Sequence, residues 1–454
     1  MNQKQIEKEV TDRVTPTNEY RKKLDTIVKE IEEKLKKEIT KRKLPISIEL
    51  VGSTAKDTYL KDNMDIDFFL LFPTNYSKEK IAKNAISIGE TFLTNTEESY
   101  AEHPYLRGYY KNHYVEIVPC YDIKDVSQKL SAVDRTPLHT KYVKENLKET
   151  QKKEVRLFKQ FLIGIGCYGA EAQIEGFSGY LCEILILKYG TFEKLIKNAQ
   201  SWKAGEKLAL SKGKYQSFET PLTFIDPVDS DRNVASALSK DKFDLFIKAC
   251  KEYLKNPKDT FFFSNIVKPW PLKRIKETIK KQKCKYIGVK IDKPDIIDEN
   301  LYPQIRKGAR SICDAGKRYG FEIFDASFHI DELKSTILLI IKTSIEPLSE
   351  TFVHMGPPVK INRNSKEFLK KYKNNPRVTK KPYEKNGRLY VELKREYTEI
   401  KDFLKDEVEN LSMGKHLDHI VDKKYKIIEL KDMLKEELKI FWTEYLDGKM
   451  PWER

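Results

Sequence analysis

Ile46-Ser47-Ile48-Glu49-Leu50-Val51-Gly52-Ser53-Thr54-Ala55-Lys56, followed by Met64-Asp65-Ile66-Asp67-Phe68-Phe69-Leu70-Leu71-Phe72, is the stretch from which the rest of the chain can be read. Its first part predicts a strand over Ile46 to Val51 and a tight turn at Gly52, where the missing side chain lets the backbone approach a ligand closely. Hydroxyls and amide N–H groups of Ser53 and Thr54 can then face phosphate. The second part predicts a strand that is apolar except at Asp65 and Asp67. Strand residues two apart share a face, so these carboxylates project side by side. Neighbouring acids raise one another's pKa unless a cation lies between them, and magnesium suits such oxygens. The alternative is a pair of acids at the solvent edge of a strand.

A pair of metal ions needs a further carboxylate from another strand. His113-Tyr114-Val115-Glu116-Ile117-Val118-Pro119 supplies one in Glu116, the only acid of a β-rich run that follows the aromatic and basic residues Tyr105 to Lys111. Taken alone, Glu116 reads as an ordinary strand charge. A glycine-serine turn followed by Asp-x-Asp on a strand resembles the polymerase β superfamily of nucleotidyltransferases.

The 454 residues allow three or four domains with their own cores. Charged residues make up 34%, and 85 Lys and Arg against 69 Asp and Glu leave a net charge of +16. That excess favours a polyanionic partner such as RNA or DNA, although a lysine-rich proteome would also produce part of it. Six cysteines are scattered singly with no CxxC pair, which argues against a zinc site and for a reducing cytoplasm. Met1 to Val14 lacks the apolar core of a signal peptide, and no stretch approaches the roughly 20 apolar residues of a membrane span.

Apolar residues recurring between Thr17 and Lys41 predict an amphipathic helix packed on the sheet. The period turns helical from Thr140 to Phe161, Gly179 to Lys197 and Asn233 to Leu254, so a second, mostly α domain begins near Arg135. Beyond Pro269, a strand over Tyr286 to Ile291, a basic helix over Leu301 to Tyr319 and two further strands resemble a small RNA-binding α/β module. Gly356-Pro357-Pro358 reads as a break. Helix Ser365 to Lys373 follows it, then a basic hairpin with Tyr383, Tyr390 and Tyr397 about an Asn386-Gly387 turn, suited to stacking on exposed bases. Lys401 to Tyr445 reads as helical.

Longer motifs carry a closer resemblance. Gly52-Ser53-Thr54-Ala55-Lys56, Asp65-Ile66-Asp67, Val115-Glu116-Ile117-Val118-Pro119-Cys120-Tyr121, Cys167-Tyr168-Gly169-Ala170-Glu171, Gly176-Phe177-Ser178-Gly179-Tyr180-Leu181-Cys182-Glu183 and Asp226-Pro227-Val228-Asp229-Ser230-Asp231-Arg232-Asn233-Val234 resemble the archaeal-type (class I) CCA-adding enzymes. The resemblance implies an α+β multidomain protein. A polymerase-β-like nucleotidyltransferase head with a mixed sheet (1–135) would be followed by a helical neck (136–258). An α/β RNA-binding body (259–350 and 400–454) and a small α/β tail (351–399) would bind tRNA. It further implies a cytoplasmic homodimer that adds C, C and A to the tRNA 3′ end without a template, from CTP and ATP, using two Mg²⁺ ions.

Position by position, Asp65, Asp67 and Glu116 match the family's metal-binding and catalytic carboxylates. Gly52, Ser53, Lys56, His139, Lys159 and Tyr168 match residues about the triphosphate. Glu is common where this chain has Asp65, Asp where it has Glu116, and Arg where it has Lys56. Charge survives each change, while a lysine loses the bidentate fork of arginine. Arg232 can read the base edge: its donors suit cytosine N3 and adenine N1, which accept, and oppose uracil N3–H and guanine N1–H. A salt bridge from Arg232 to Asp229 or Asp231 is the alternative. Another RNA nucleotidyltransferase, such as a poly(A) polymerase, would share the Ser turn and Asp-x-Asp, and a non-catalytic RNA binder would be expected to have lost an acid.

Overall fold

Ile66, Phe68, Leu70 and Phe72 alternate along one strand with Asp67, Phe69 and Leu71, and this parity sets the layering of the N-terminal part. In the computed structural model, every residue except Met1, Asp62, Asn63, Ala101, Lys214, Asp422 and Lys423 is described. The chain divides into one unit running to Ile266 with Lys449–Arg454 added to it, and a second spanning Val267–Gly448.

The first unit opens with α1 (Gln3–Val14) and α2 (Asn18–Lys41), the latter capped by the Thr17 hydroxyl accepting from Tyr20 N. Then come β1 (Ser47–Val51), α3 (Gly52–Lys56), β2 (Ile66–Phe72), α4 (Lys78–Gly89), β3 (Thr94–Tyr100), β4 (Pro104–Tyr110) and β5 (His113–Tyr121). The five strands form a mixed sheet in the order β1-β2-β5-β4-β3, with β2 and β5 parallel and the other pairs antiparallel. Even-numbered residues of β2 pack with Leu24, Ile31 and Leu35 of α2 and Ile81 and Ile88 of α4. Odd-numbered Phe69 and Leu71 face the other way, with Val51, Val118 and Cys120. Asp67 and Glu116 share that second face. The turn expected after β1 is a short helix, α3, entered directly at Gly52.

The helical layer comprises α5 (Arg135–Asn146), α6 (Glu149–Gly164), α7 (Gly179–Tyr189) and α8 (Phe192–Ala199), then the paired short strands β6 (Glu206–Leu208) and β7 (Leu222–Phe224), and α9 (Lys240–Lys255). Its aromatic core, with Phe158, Phe161, Phe192 and Phe246, also takes Ile6, Val10 and Val14 of α1. So α1, expected within the head, packs on the helical layer. Trp452 stacks on Phe261 at 5.1 Å and donates from Nε1 to Glu252. The last six residues thus lie in the first unit, whereas the body was expected to extend to residue 454.

The second unit contains α10 (Leu272–Lys281), β8 (Lys285–Asp292), α11 (Asp298–Tyr319), β9 (Ile323–Asp331) and β10 (Thr336–Thr343). It continues through β11 (Thr351–Pro358), α12 (Asn362–Lys373), β12 (Val378–Lys385), β13 (Arg388–Lys394), α13 (Ile400–Glu407) and α14 (Lys415–Val421), and ends with β14 (Tyr425–Glu429), α15 (Leu430–Met433) and α16 (Lys439–Asp447). One antiparallel sheet has the order β14-β8-β10-β9. Strand β14 corrects the expectation of continuous helix from Lys401 to Tyr445: Ile427 and Ile428 pair with Val289 and Gly288 of β8. A second sheet, β11-β13-β12, is covered on one face by Phe368 and Tyr372 of α12. Gly356-Pro357-Pro358, expected as a break, ends edge strand β11, where proline is tolerated. Asn386 and Gly387 both have positive φ and close the β12-β13 hairpin as expected. Among the described residues no helix is long and apolar enough to cross a membrane.

Candidate active site

The site lies on the β2-β5 face of the mixed sheet. Parallel pairing sets Asp67 directly beside Glu116, and antiparallel pairing sets Val51 beside Asp67, so the end of β1 and the start of α3 adjoin the acids. Gly52 is required there twice over. Its φ is +70°, and a Cβ would stand 1.9 Å from Asp67 Oδ2. Asp65 sits just before β2, and its carbonyl accepts from Thr54 Oγ1 at 2.6 Å, tying the acid strand to α3.

Electrostatics mark Asp67 out. Burial, then Glu116 and Asp65, push its carboxyl up to about 7, with Lys56 and Arg107 opposing. Desolvation also raises Asp65 and Glu116, against the pull of Arg107. Hard oxygens that repel one another in a partly closed site are a donor set suited to a divalent cation. As they stand, however, no three acid, His or Cys side chains among the described residues are gathered closely enough to hold a metal ion. Glu116 instead accepts from Arg107 Nε at 2.8 Å. Strand register therefore brings two of the three expected carboxylates, Asp67 and Glu116, side by side, with Asp65 just before β2 and Glu116 engaged by a neighbouring guanidinium.

The residues expected about the triphosphate fall into two groups linked by acids. Ser53 is half-buried on the first turn of α3. Lys56, at the end of α3, donates to Glu183 Oε2 at 2.6 Å, and Lys159 of α6 lies 3.8 Å from Oε1 of the same carboxylate. A Cβ on Gly179 would meet Tyr168 Oη at 3.2 Å and Lys159 Nζ at 3.7 Å, so these two groups come together at the start of α7. Neither lysine is an open surface cation: their side chains are 8% and 2% exposed.

The second group surrounds Asp226. His139 Nε2 lies 2.8 Å from Asp226 Oδ2, Arg232 Nη1 donates to the same oxygen at 2.9 Å, and Tyr180 Oη donates to Oδ1 at 3.0 Å. The His139 ring stacks on Tyr180 at 4.1 Å. Bonding to His139 and the nearby Arg232 charge outweigh burial and hold the Asp226 carboxyl down at about 2. Burial lowers the His139 pKa, against the pull of Asp226. Arg232 thus has an acidic partner, but not Asp229 or Asp231: Asp229 accepts from Lys129 and Arg135. Lys56 acts electrostatically on both Asp67 and His139.

Sequence reasoning gave no role to Arg107, Tyr180, Glu183 or Asp226. Glu183 carried a signal, the one charged residue in a run otherwise apolar from Leu181 to Leu187. Arg107 lies in the basic-aromatic run before Glu116, and Asp226 opens the motif that also holds Asp229, Asp231 and Arg232.

Residues 28–139 match the nucleotidyltransferase domain family, 153–263 the tRNA nucleotidyltransferase second domain and 283–429 the CCA-adding enzyme C-terminal domain. The CCA-adding enzyme of Methanosarcina barkeri is 35% identical over 424 residues, spanning 92% of each chain. That of Archaeoglobus fulgidus is 35% identical over 410 residues, 90% of this chain and 91% of the relative. The Methanocaldococcus jannaschii enzyme is 36% identical over 446 residues, 94% and 95% of the two chains. Similarity of this degree, sustained from the acid-bearing sheet to the C-terminal domain, means that the chain belongs to the CCA-adding enzyme family of nucleotidyltransferases.

Proposed function

We propose that the protein adds C, C and A to the 3′ end of tRNA without a nucleic-acid template, joining the terminal ribose hydroxyl to the α-phosphate of CTP or ATP and releasing pyrophosphate. The observation that carries this reading is the register of Asp67 with Glu116, beside α3 and next to Asp65 just before β2. Asp65, Asp67 and Glu116 would hold two Mg²⁺ ions, which when bound lower the pKa of the attacking hydroxyl and neutralise phosphate charge. For Glu116 this requires release of Arg107.

The other residues bind and orient. Ser53 supplies a hydroxyl donor to the triphosphate, and Lys56, Lys159, Tyr168 and His139 supply charge and N–H or O–H donors to its oxygens. Asp226 fixes the guanidinium of Arg232 through one N–H and leaves others to read the base edge. The loop from Asp226 to Arg232 is itself closed by backbone bonds, Asp226 N to Arg232 O at 3.0 Å and Arg232 N to Asp229 O at 2.9 Å. A donor set facing uracil N3–H or guanine N1–H loses about 1–3 kcal/mol for each contact left unmade.

The second unit would hold the tRNA in the manner of a body and tail. Tyr383 and Tyr390 form a cross-strand pair with rings 5.9 Å apart, and Lys380 lies 4.7 Å above Tyr383. Such a basic aromatic surface suits RNA. A cytoplasmic homodimer follows from the family resemblance. The test is to incubate the protein with tRNA lacking CCA, Mg²⁺ and labelled CTP, ATP, UTP and GTP, singly and together. Incorporation limited to C, C and A supports the reading; a long A tail, or no incorporation, rejects it.

A further inference from the structure

Glu183 lies within the apolar body of α7, its side chain only 1% exposed. An ionised carboxylate cannot be placed there cheaply without partners. It has three. Lys56 Nζ donates to Oε2 at 2.6 Å, Thr58 Oγ1 donates to Oε1 at 2.6 Å, and Lys159 Nζ stands 3.8 Å from Oε1 while donating to the Thr58 carbonyl at 3.0 Å. A balanced core pair would need one lysine. Here two buried lysines share one acid, so the cluster holds more cationic than anionic groups, and Lys159 lies beside the Tyr168 hydroxyl at Gly179. A polyanion drawn to that point would supply the missing negative charge.

We propose that Glu183 is a positioning residue for nucleotide binding: shared between Lys56 and Lys159, it keeps both ammonium groups protonated and fixed in place before the triphosphate arrives. The inference rests on the reading of this pocket as the triphosphate site. The groups facing Lys159 are Glu183 and Cys182 from α7, Lys56 from α3 and Arg156 from its own helix, with the Tyr168 hydroxyl at the mouth. Burial pushes Lys159 down, Lys56 and Arg156 push it the same way, and the Cys182 thiol is kept protonated by its own burial. Glu183 is the ionised group that opposes them. With its charge removed, Lys159 would shed its proton at lower pH.

The test uses the full-length enzyme carrying Glu183→Gln, which preserves size and an acceptor oxygen. The measurement is kcat/KM for CTP on tRNA lacking CCA across the neutral-to-alkaline range, with Tm recorded alongside. The alkaline limb is expected to move to lower pH by about one to three units, the scale of an opposite charge at this separation. The change falls on KM for nucleotide, with KM for tRNA unaltered. Thr58→Val loosens the same cluster without changing its charge, and is expected to lower Tm while leaving the limb in place. Should Glu183→Gln fail to fold, Lys159→Arg carries the test: a cation that does not titrate moves the limb upward or removes it. Active wild-type enzyme with an unmoved limb in the variant that folds overturns the role of Glu183 alone. Wild-type enzyme that incorporates no nucleotide overturns the reading of the pocket and the proposal with it.

Discussion

Asp67→Asn is expected to stabilise the metal-free protein while abolishing its activity. The Asp67 carboxyl is pushed from 3.8 to about 7, first by burial and then by Glu116 and Asp65. That is about three units, and at about 1.4 kcal/mol per unit the folded state carries a penalty of about 4 kcal/mol when the group is ionised. The side chain is only partly closed off from water, which makes this figure an upper bound. The sign follows from linkage. Because the folded pKa lies above the unfolded one, the folded protein binds the proton more tightly. Stability is therefore greatest below the unfolded value, falls as pH rises through the window, and carries the full penalty above about pH 7. Asparagine has nearly the same shape and no charge to bury. Urea unfolding in the presence of a chelator should show Asp67→Asn more stable than wild type by up to about 4 kcal/mol in mildly alkaline buffer, with the gap closing toward about pH 4. A divalent cation should restore much of the deficit to wild type alone. Equal stabilities in alkaline buffer, or a gap that persists in acid, would refute the electrostatic picture of the site.

Three further perturbations probe its neighbours. Arg107→Gln removes the guanidinium on Glu116, so calorimetric titration at neutral pH should find Mn²⁺ bound more tightly by about 1 kcal/mol, roughly fivefold; unchanged or weaker binding would show that Arg107 does not compete. Gly52→Ala puts a Cβ 1.9 Å from Asp67 Oδ2 at a φ of +70°. It should cost about 1–2 kcal/mol in backbone strain alone and depress activity by displacing Asp67, and a fully active, fully stable variant would contradict the packing. Arg232→Ala should relax discrimination against UTP and GTP by about 1–3 kcal/mol in competition assays, and an unaltered nucleotide ratio would remove Arg232 as the reader of the base edge.

What could be read in advance was whatever depends on local periodicity. Asp65 and Asp67 interrupt an apolar run at a spacing of two, and Glu116 is the lone acid of another, so the three candidates stood out from local pattern, whereas the placing of Glu116 beside Asp67 depends on the parallel β2-β5 register. The β12-β13 hairpin was legible from its turn residues, Asn386-Gly387, which take the positive φ the turn requires. The ion pair of Lys56 with Glu183 bridges 127 residues of chain, and nothing local to either residue names the other. His139 and Asp226 are separated by 87 residues and met the same obstacle. Strand β14 was hidden because Tyr425-Lys426-Ile427-Ile428-Glu429 is short, flanked by lysines, and becomes a strand through its pairing with β8. Helix α1 buries Ile6, Val10 and Val14 at four-residue steps, a pattern diluted by the charged residues between them. Arg107 shows the limit most plainly. Its side of strand β4 could be guessed, but that it would occupy Glu116 depends on the antiparallel register that sets the two residues opposite one another.

The most direct test is anomalous diffraction from Mn²⁺ in crystals of the protein soaked with CTP. The expected result is manganese bounded by the carboxylates of Asp65, Asp67 and Glu116, with Glu116 drawn off Arg107. Manganese bound elsewhere, or a Glu116 that keeps its bond to Arg107 while the ion sits on other ligands, would contradict a nucleotidyl-transfer centre built on these three acids.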